Sequence, residues 1–160
     1  MTRTLAFLLS GFLATVAVAD DETTPPLSAL DAWQADHTVI LDAADVTLDD
    51  FRWLARPVVV FADSPNDPRF QQQMELLAMR PNDLAERDIV LITDTDPSAE
   101  TAIRTALRPR GFMMALLGKD GGVRLRKPLP WDTRELSRVI DKMPMRQQEI
   151  EDRRASAISE

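Results

Sequence analysis

Two unbroken apolar runs, Val58-Val59-Val60-Phe61-Ala62 and Ile89-Val90-Leu91-Ile92, constrain this chain most. A strand with one face in water alternates apolar and polar residues, whereas one that is apolar throughout is covered on both faces, as in a parallel sheet flanked by helices. The residues between the runs fit that plan. Asp67-Pro68 supplies an N-cap and a favoured first helical residue, Phe70, Met74 and Leu77 recur on one helical face, and Gln71, Gln72 and Glu75 take the other. Pro81 ends the helix, since the residue before a proline is disfavoured in helical geometry.

The flanking segments extend the pattern. Upstream, Thr47-Leu48-Asp49-Asp50 is a capping box leading to a short helix with Phe51, Trp53 and Leu54, and Pro57 suits the start of the first run. Downstream, Asp96-Pro97 repeats the helix-start device before Ala102, Ile103, Ala106 and Leu107, until Pro109 and Gly111 stop it. Phe112 to Leu117 reads as a third strand. The turn Gly118-Lys119-Asp120-Gly121-Gly122 then joins it to an edge strand in which Val123 and Leu125 alternate with Arg124 and Arg126. Asp132 and Glu135 cap a last helix whose apolar stripe is Leu136, Val139, Ile140 and Met143, and Pro144 kinks or ends it. The order β-α-β-α-β-β-α is that of a thioredoxin-like α/β sandwich with a mixed central sheet.

Both ends have their own character. Arg3 precedes an apolar run from Leu5 to Val18, and Ala17-Val18-Ala19 is followed by Asp20, Asp21 and Glu22, the layout of a signal peptide over residues 1–19. That run is shorter than the roughly 20 apolar residues a bilayer span needs. A periplasmic or secreted protein with no membrane span after signal removal is therefore expected. Residues 20–46 read as an N-terminal leader, opening with the flexible DDETTPP. Residues 47–144 read as the thioredoxin-like domain and 145–160 as a charged, frayed helical tail.

The chain contains no cysteine, which excludes thiol redox and thiolate-metal chemistry. Its charge of −7 argues against general nucleic-acid binding. That charge is unevenly spread: residues 20–67 hold eleven acids and two bases, residues 101–142 ten bases and four acids.

In thioredoxin-like enzymes the reactive cysteine follows the first core strand, at a helix N-terminus that stabilises thiolate. Here that turn is Asp63-Ser64-Pro65-Asn66-Asp67-Pro68, with no thiol. The segments RPVVVFADSPNDPRFQQQ, GKDGGVRLRKPLPWD and IDKMPMRQQE, in this order, resemble the P-DUDES family over about Leu48 to Glu149. This is a thioredoxin-like domain of unknown function in small exported bacterial proteins and in vertebrate sushi-repeat and coiled-coil-domain-containing matrix proteins. The resemblance implies a thioredoxin-like or peroxiredoxin-like fold and an extracytoplasmic setting, and it brings no catalytic residue with it.

Two sets of side chains are candidates for a site. Asp63, Asp94 and Asp96 follow the two buried strands, where a carboxylate cluster would hold Ca²⁺ or Mg²⁺; their structural alternative is N-caps and turn formers. Arg110, Lys119, Arg124 and Arg126 belong to a basic stretch with Arg104, Arg108 and Lys127, and suit a phosphate, a sulfate or an acidic partner surface. The alternatives are an edge strand protected by charge, or a basic surface covered by the chain's own acidic N-terminal segment. His37 stands alone and makes a nucleophilic triad a poor fit. Trp33, Trp53 and Trp131 flank elements and suit core packing, with Trp131 beside Pro128 and Pro130 an alternative exposed aromatic platform. The leading expectation is a non-enzymatic binding or interaction module for a protein partner or anionic ligand. Its alternative is a carboxylate-based divalent-metal site or metal-dependent enzyme at the strand ends, and no other cofactor is expected.

Overall fold

The computed structural model describes residues 27–158. The expected signal peptide, the first residues of the leader and the last two residues lie outside them.

The two apolar runs become neighbouring parallel strands, β2 (Arg56–Phe61) and β3 (Ile89–Asp94), with Val58 opposite Leu91 and Phe61 opposite Asp94. β4 (Met113–Leu117) runs antiparallel to β2, and β5 (Val123–Lys127) antiparallel to β4. A short β1 (Ile40–Asp42) lies parallel to β3 at the far edge, giving the sheet order β1-β3-β2-β4-β5. This mixed five-stranded sheet is consistent with a thioredoxin-like α/β fold.

Both faces are covered, as the unbroken strands require. On one, Val59, Phe61, Val90 and Ile92 pack with Trp33 of α1 (Ala29–Ala35), with Phe51, and with Ile103 and Leu107 of α4 (Ala102–Leu107). On the other, Val58, Val60, Ile89 and Leu91 meet Leu77 of α2 (Pro68–Ala78), Leu84 of α3 (Pro81–Ala85), and Leu136 and Ile140 of α5 (Thr133–Asp141). α6 (Pro144–Ile158) completes the chain. No helix among the described residues is long and apolar enough to cross a membrane.

Several expectations need correction. Residues 29–42, read as leader, hold α1 and the edge strand β1. Ser28 caps α1 by accepting from the Asp31 amide, and the buried Trp33 donates from Nε1 to the Ile89 carbonyl at 3.2 Å. The Asp96-Pro97 device opens only a 3-10 turn, Pro97–Ala99; Glu100 then turns left-handed, and α4 starts afresh with Thr101 as its N-cap. The charged tail is helical as read, forming α6 from Pro144 to Ile158, but it also buries Arg146 almost completely, as a solvated tail would not. Gln73, which belongs to neither face read for α2 in the sequence, is buried. Its amide exchanges two hydrogen bonds with the backbone of Trp131, tying α2 to the segment before α5.

Candidate functional site

β2 ends where β4 begins, Phe61 facing Met113, so the loop after β2 and the segment before β4 share one end of the sheet. The loop 63–67 is occupied with its own hydrogen bonds. Ser64 Oγ accepts from the Asn66 amide, and Asp67 accepts from the Arg69 amide at 2.8 Å and from the Arg69 guanidinium. Those side-chain and backbone bonds from Arg69 hold the Asp67 carboxyl below its ordinary value. The N-terminus of α2 is thereby capped from within.

The three aspartates do not form a ligand set. Asp94 is buried and accepts from Thr101 Oγ1 at 2.7 Å and from Arg104 Nε and Nη2 at 2.9 and 2.6 Å. Asp96 caps its 3-10 turn through Ser98, and the hydrogen bonds from the Ser98 side chain and amide lower its pKa. Asp63 is exposed, 3.9 Å from Arg104 Nη1. Among the described residues there is no group of three or more histidine, cysteine or acidic side chains placed to hold a metal ion. Arg104 is the reason. It supplies the positive charge at the strand ends and also donates to the carbonyls of Ala62 and Asp94.

The four basic candidates divide between opposite ends of the sheet. Lys119, just after β4, sits 2.8 Å from Asp88 Oδ2 and 3.0 Å from Glu149 Oε1, and Arg124 pairs with Asp120. Lys119 and Arg124 line a hollow of about 320 Å³ with Arg56, Met143, Pro144 and Met145. Arg110 and Arg126 meet instead at the head of β4, where Arg108 and Lys127 join them around Phe112, Met113 and Pro128 in a groove of about 220 Å³.

The two sites differ in their electrostatics. In the hollow each cation has a carboxylate partner, and Arg56, at 1 % exposure, lies 2.8 Å from Glu149 Oε1 and 3.8 Å from Asp88 Oδ2. In the groove no carboxylate of the described residues lies within ion-pair distance of Arg108, Arg110, Arg126 or Lys127. Arg126 is aimed by a bond from Nη1 to the Leu107 carbonyl at the end of α4, and Lys127 Nζ sits 4.3 Å above the Trp131 ring. Arg108 takes a left-handed conformation (φ 50°) to close α4. Among the described residues the acidic segment makes no ion pair with this surface: Asp49 pairs with Arg52 close by, and none of the acids at 31–50 pairs with the groove.

A family profile described as "Domain of unknown function (DUF4174)" matches residues 47–149. The chain belongs to the DUF4174 family. The DUF4174 match contains both the groove and the hollow, and it runs as far as Glu149, the acid that α6 contributes to the hollow's ion cluster. No curated protein matches the chain.

Of the DUF4174 site residues, Arg108 and Lys127 belong to the basic stretch visible in the sequence. Arg56, Arg146 and Glu149 carry no such signal: Arg56 reads as ordinary flanking charge, and the other two as part of a solvated tail.

Proposed function

We propose that this DUF4174 domain is an exported, non-enzymatic binding module that holds an anionic ligand in the groove formed by Arg108, Arg110, Arg126 and Lys127. One observation carries the reading: these four cations converge without an ion-paired carboxylate of the described residues, in a protein whose net charge is −7. Clustered like charge stores repulsion that an incoming anion relieves. Arginine forks on a rigid strand and a helix end suit bidentate contact with phosphate, sulfate or carboxylate. Phe112, Met113 and Pro128 add an apolar floor, which favours an anion carrying an apolar body.

Export rests on the signal-peptide layout of residues 1–19 and on the P-DUDES resemblance, which also supports the thioredoxin-like assignment. The absence of cysteine removes the chemistry such a fold most often performs.

Titration with a sulfated glycan and, separately, with an acidic peptide tests the binding and distinguishes a free polyanion from a protein source. Binding of either that disappears in the Arg108→Ala, Arg126→Ala double variant supports the reading; equal binding by that variant and the wild type overturns it. Localisation is checked by fractionating cells that express the full chain.

A further inference from the structure

α6 is fastened to the domain by charge rather than by an apolar stripe. Its one fully buried residue is Arg146, and Met145 and Ile158 face solvent. Glu149 makes the central contact. Its Oε1 accepts from Arg56 Nη2 at 2.8 Å and lies 3.0 Å from Lys119 Nζ, while Oε2 lies 3.5 Å from Arg146 Nη1 and accepts no hydrogen bond. Arg146 Nε and Nη1 are likewise buried without hydrogen-bond partners. The cluster is therefore paired in charge and incompletely satisfied in hydrogen bonds.

Without Glu149, the core cations Arg56 and Lys119 share a single carboxylate, Asp88, at 3.8 and 2.8 Å. A guanidinium as buried as Arg56 needs more than that. The same two cations line the 320 Å³ hollow, together with Arg124 and Met143 to Met145. An anion in the hollow thus meets the groups that Glu149 now holds.

We propose that Arg56 and Lys119 form a second anion site, filled in cis by the Glu149 carboxylate, and that a small oxyanion such as phosphate entering the hollow displaces Glu149 and releases α6. This site is separate from the groove and does not depend on it. Inorganic phosphate is the probe, against chloride at matched ionic strength. In the wild-type chain, phosphate is expected to speed amide exchange across α6 while leaving β2 and β3 unchanged; α6 exchange that is indifferent to phosphate overturns the proposal.

Glu149→Gln keeps the shape and removes the competitor, so its phosphate affinity is expected to rise about tenfold or more. A cis occupant lowers apparent affinity in proportion to the fraction of chains with the site open. Adding Lys119→Met to that variant abolishes the gain. Affinity unchanged by Glu149→Gln means that the cluster only fastens α6, and the exchange measurement decides the matter if that variant does not fold. The Arg108→Ala, Arg126→Ala variant retains the phosphate response, so failure of either site is read independently of the other.

Discussion

Arg104, reaching from α4, grips Asp94 at the end of β3 through Nε and Nη2, and the carboxylate it grips is almost wholly buried. One ion pair thus joins a helix to the sheet and removes the acid that a metal site would most need. Asp94→Asn leaves the Arg104 charge short of its partner, and removing one member of a buried pair typically costs about 3–5 kcal/mol. Urea denaturation is expected to show a loss near the lower end, because Arg104 keeps the Ala62 carbonyl. Ca²⁺ and Mg²⁺ are expected to leave the wild-type melting temperature unchanged. A cation-dependent rise that disappears in Asp94→Asn would reinstate the carboxylate reading.

Trp33 and Trp53 look alike in sequence and differ in structure. Trp33 is buried, stacks on His37 with ring centroids 4.3 Å apart, and donates to the sheet. Trp53 is 63 % exposed and holds a left-handed φ of 66°. Trp33→Ala is expected to cost about 3 kcal/mol or more, as for other buried aromatics. Trp53→Gly, which relieves backbone strain while freeing the unfolded chain, is expected to change stability by less than about 1 kcal/mol. Chemical denaturation of the two variants checks the contrast.

Arg108 offers a way to separate binding from stability. Its left-handed geometry at the end of α4 is one that glycine adopts without strain. Arg108→Gly is expected to keep or raise stability by up to about 1 kcal/mol while weakening anion binding at the groove. Calorimetric titration beside a thermal melt shows both effects, and a variant that loses both together would mean that Arg108 acts through the fold.

The attachment of α6 is expected to depend on pH. Burial opposes ionisation of Glu149, but hydrogen bonds from Arg56 and Lys119, with their charges, hold its carboxyl below the ordinary glutamate value. Asp88 and Arg146 also face the cluster, and Glu86 and Asp141 lie 3.3 and 3.7 Å from Arg146. A carboxyl whose folded pKa is depressed contributes stability that is fully present above its unfolded value, about 4.3, and is lost as pH falls through the folded value. Amide exchange of α6 is therefore expected to be insensitive to pH from 7 down to about 5, after correction for the intrinsic rate, and to accelerate at lower pH. In Glu149→Gln this acid-induced change is expected to be absent.

Local pattern alone made much of the fold legible. The apolar runs at 58–62 and 89–92, the Asp67-Pro68 cap and the glycine turn at 118–122 are short-range signals, and each governs the backbone within a few residues of itself. Gly121 shows how far such a signal reaches: its φ of 81° lets the turn close, with Gly118 accepting from the Gly121 amide and donating to the Gly122 carbonyl. β1 escaped because it has three residues and one inward side chain, Leu41, so its strand geometry comes from pairing with β3 rather than from a pattern of its own.

For the candidate site, the sequence by itself determined the absence of thiol chemistry and the existence of a basic stretch, since composition needs no coordinates. Tertiary structure decided which of those charges have ion-pair partners among the described residues. Arg104 and Lys119 are consumed by Asp94 and by the Asp88–Glu149 pair, whereas Arg108, Arg110, Arg126 and Lys127 line one groove at the end of the sheet. Coulomb interactions depend on distance in space, and the separations of 93 residues between Arg56 and Glu149 and 31 between Lys119 and Asp88 hide both partnerships from any reading along the chain.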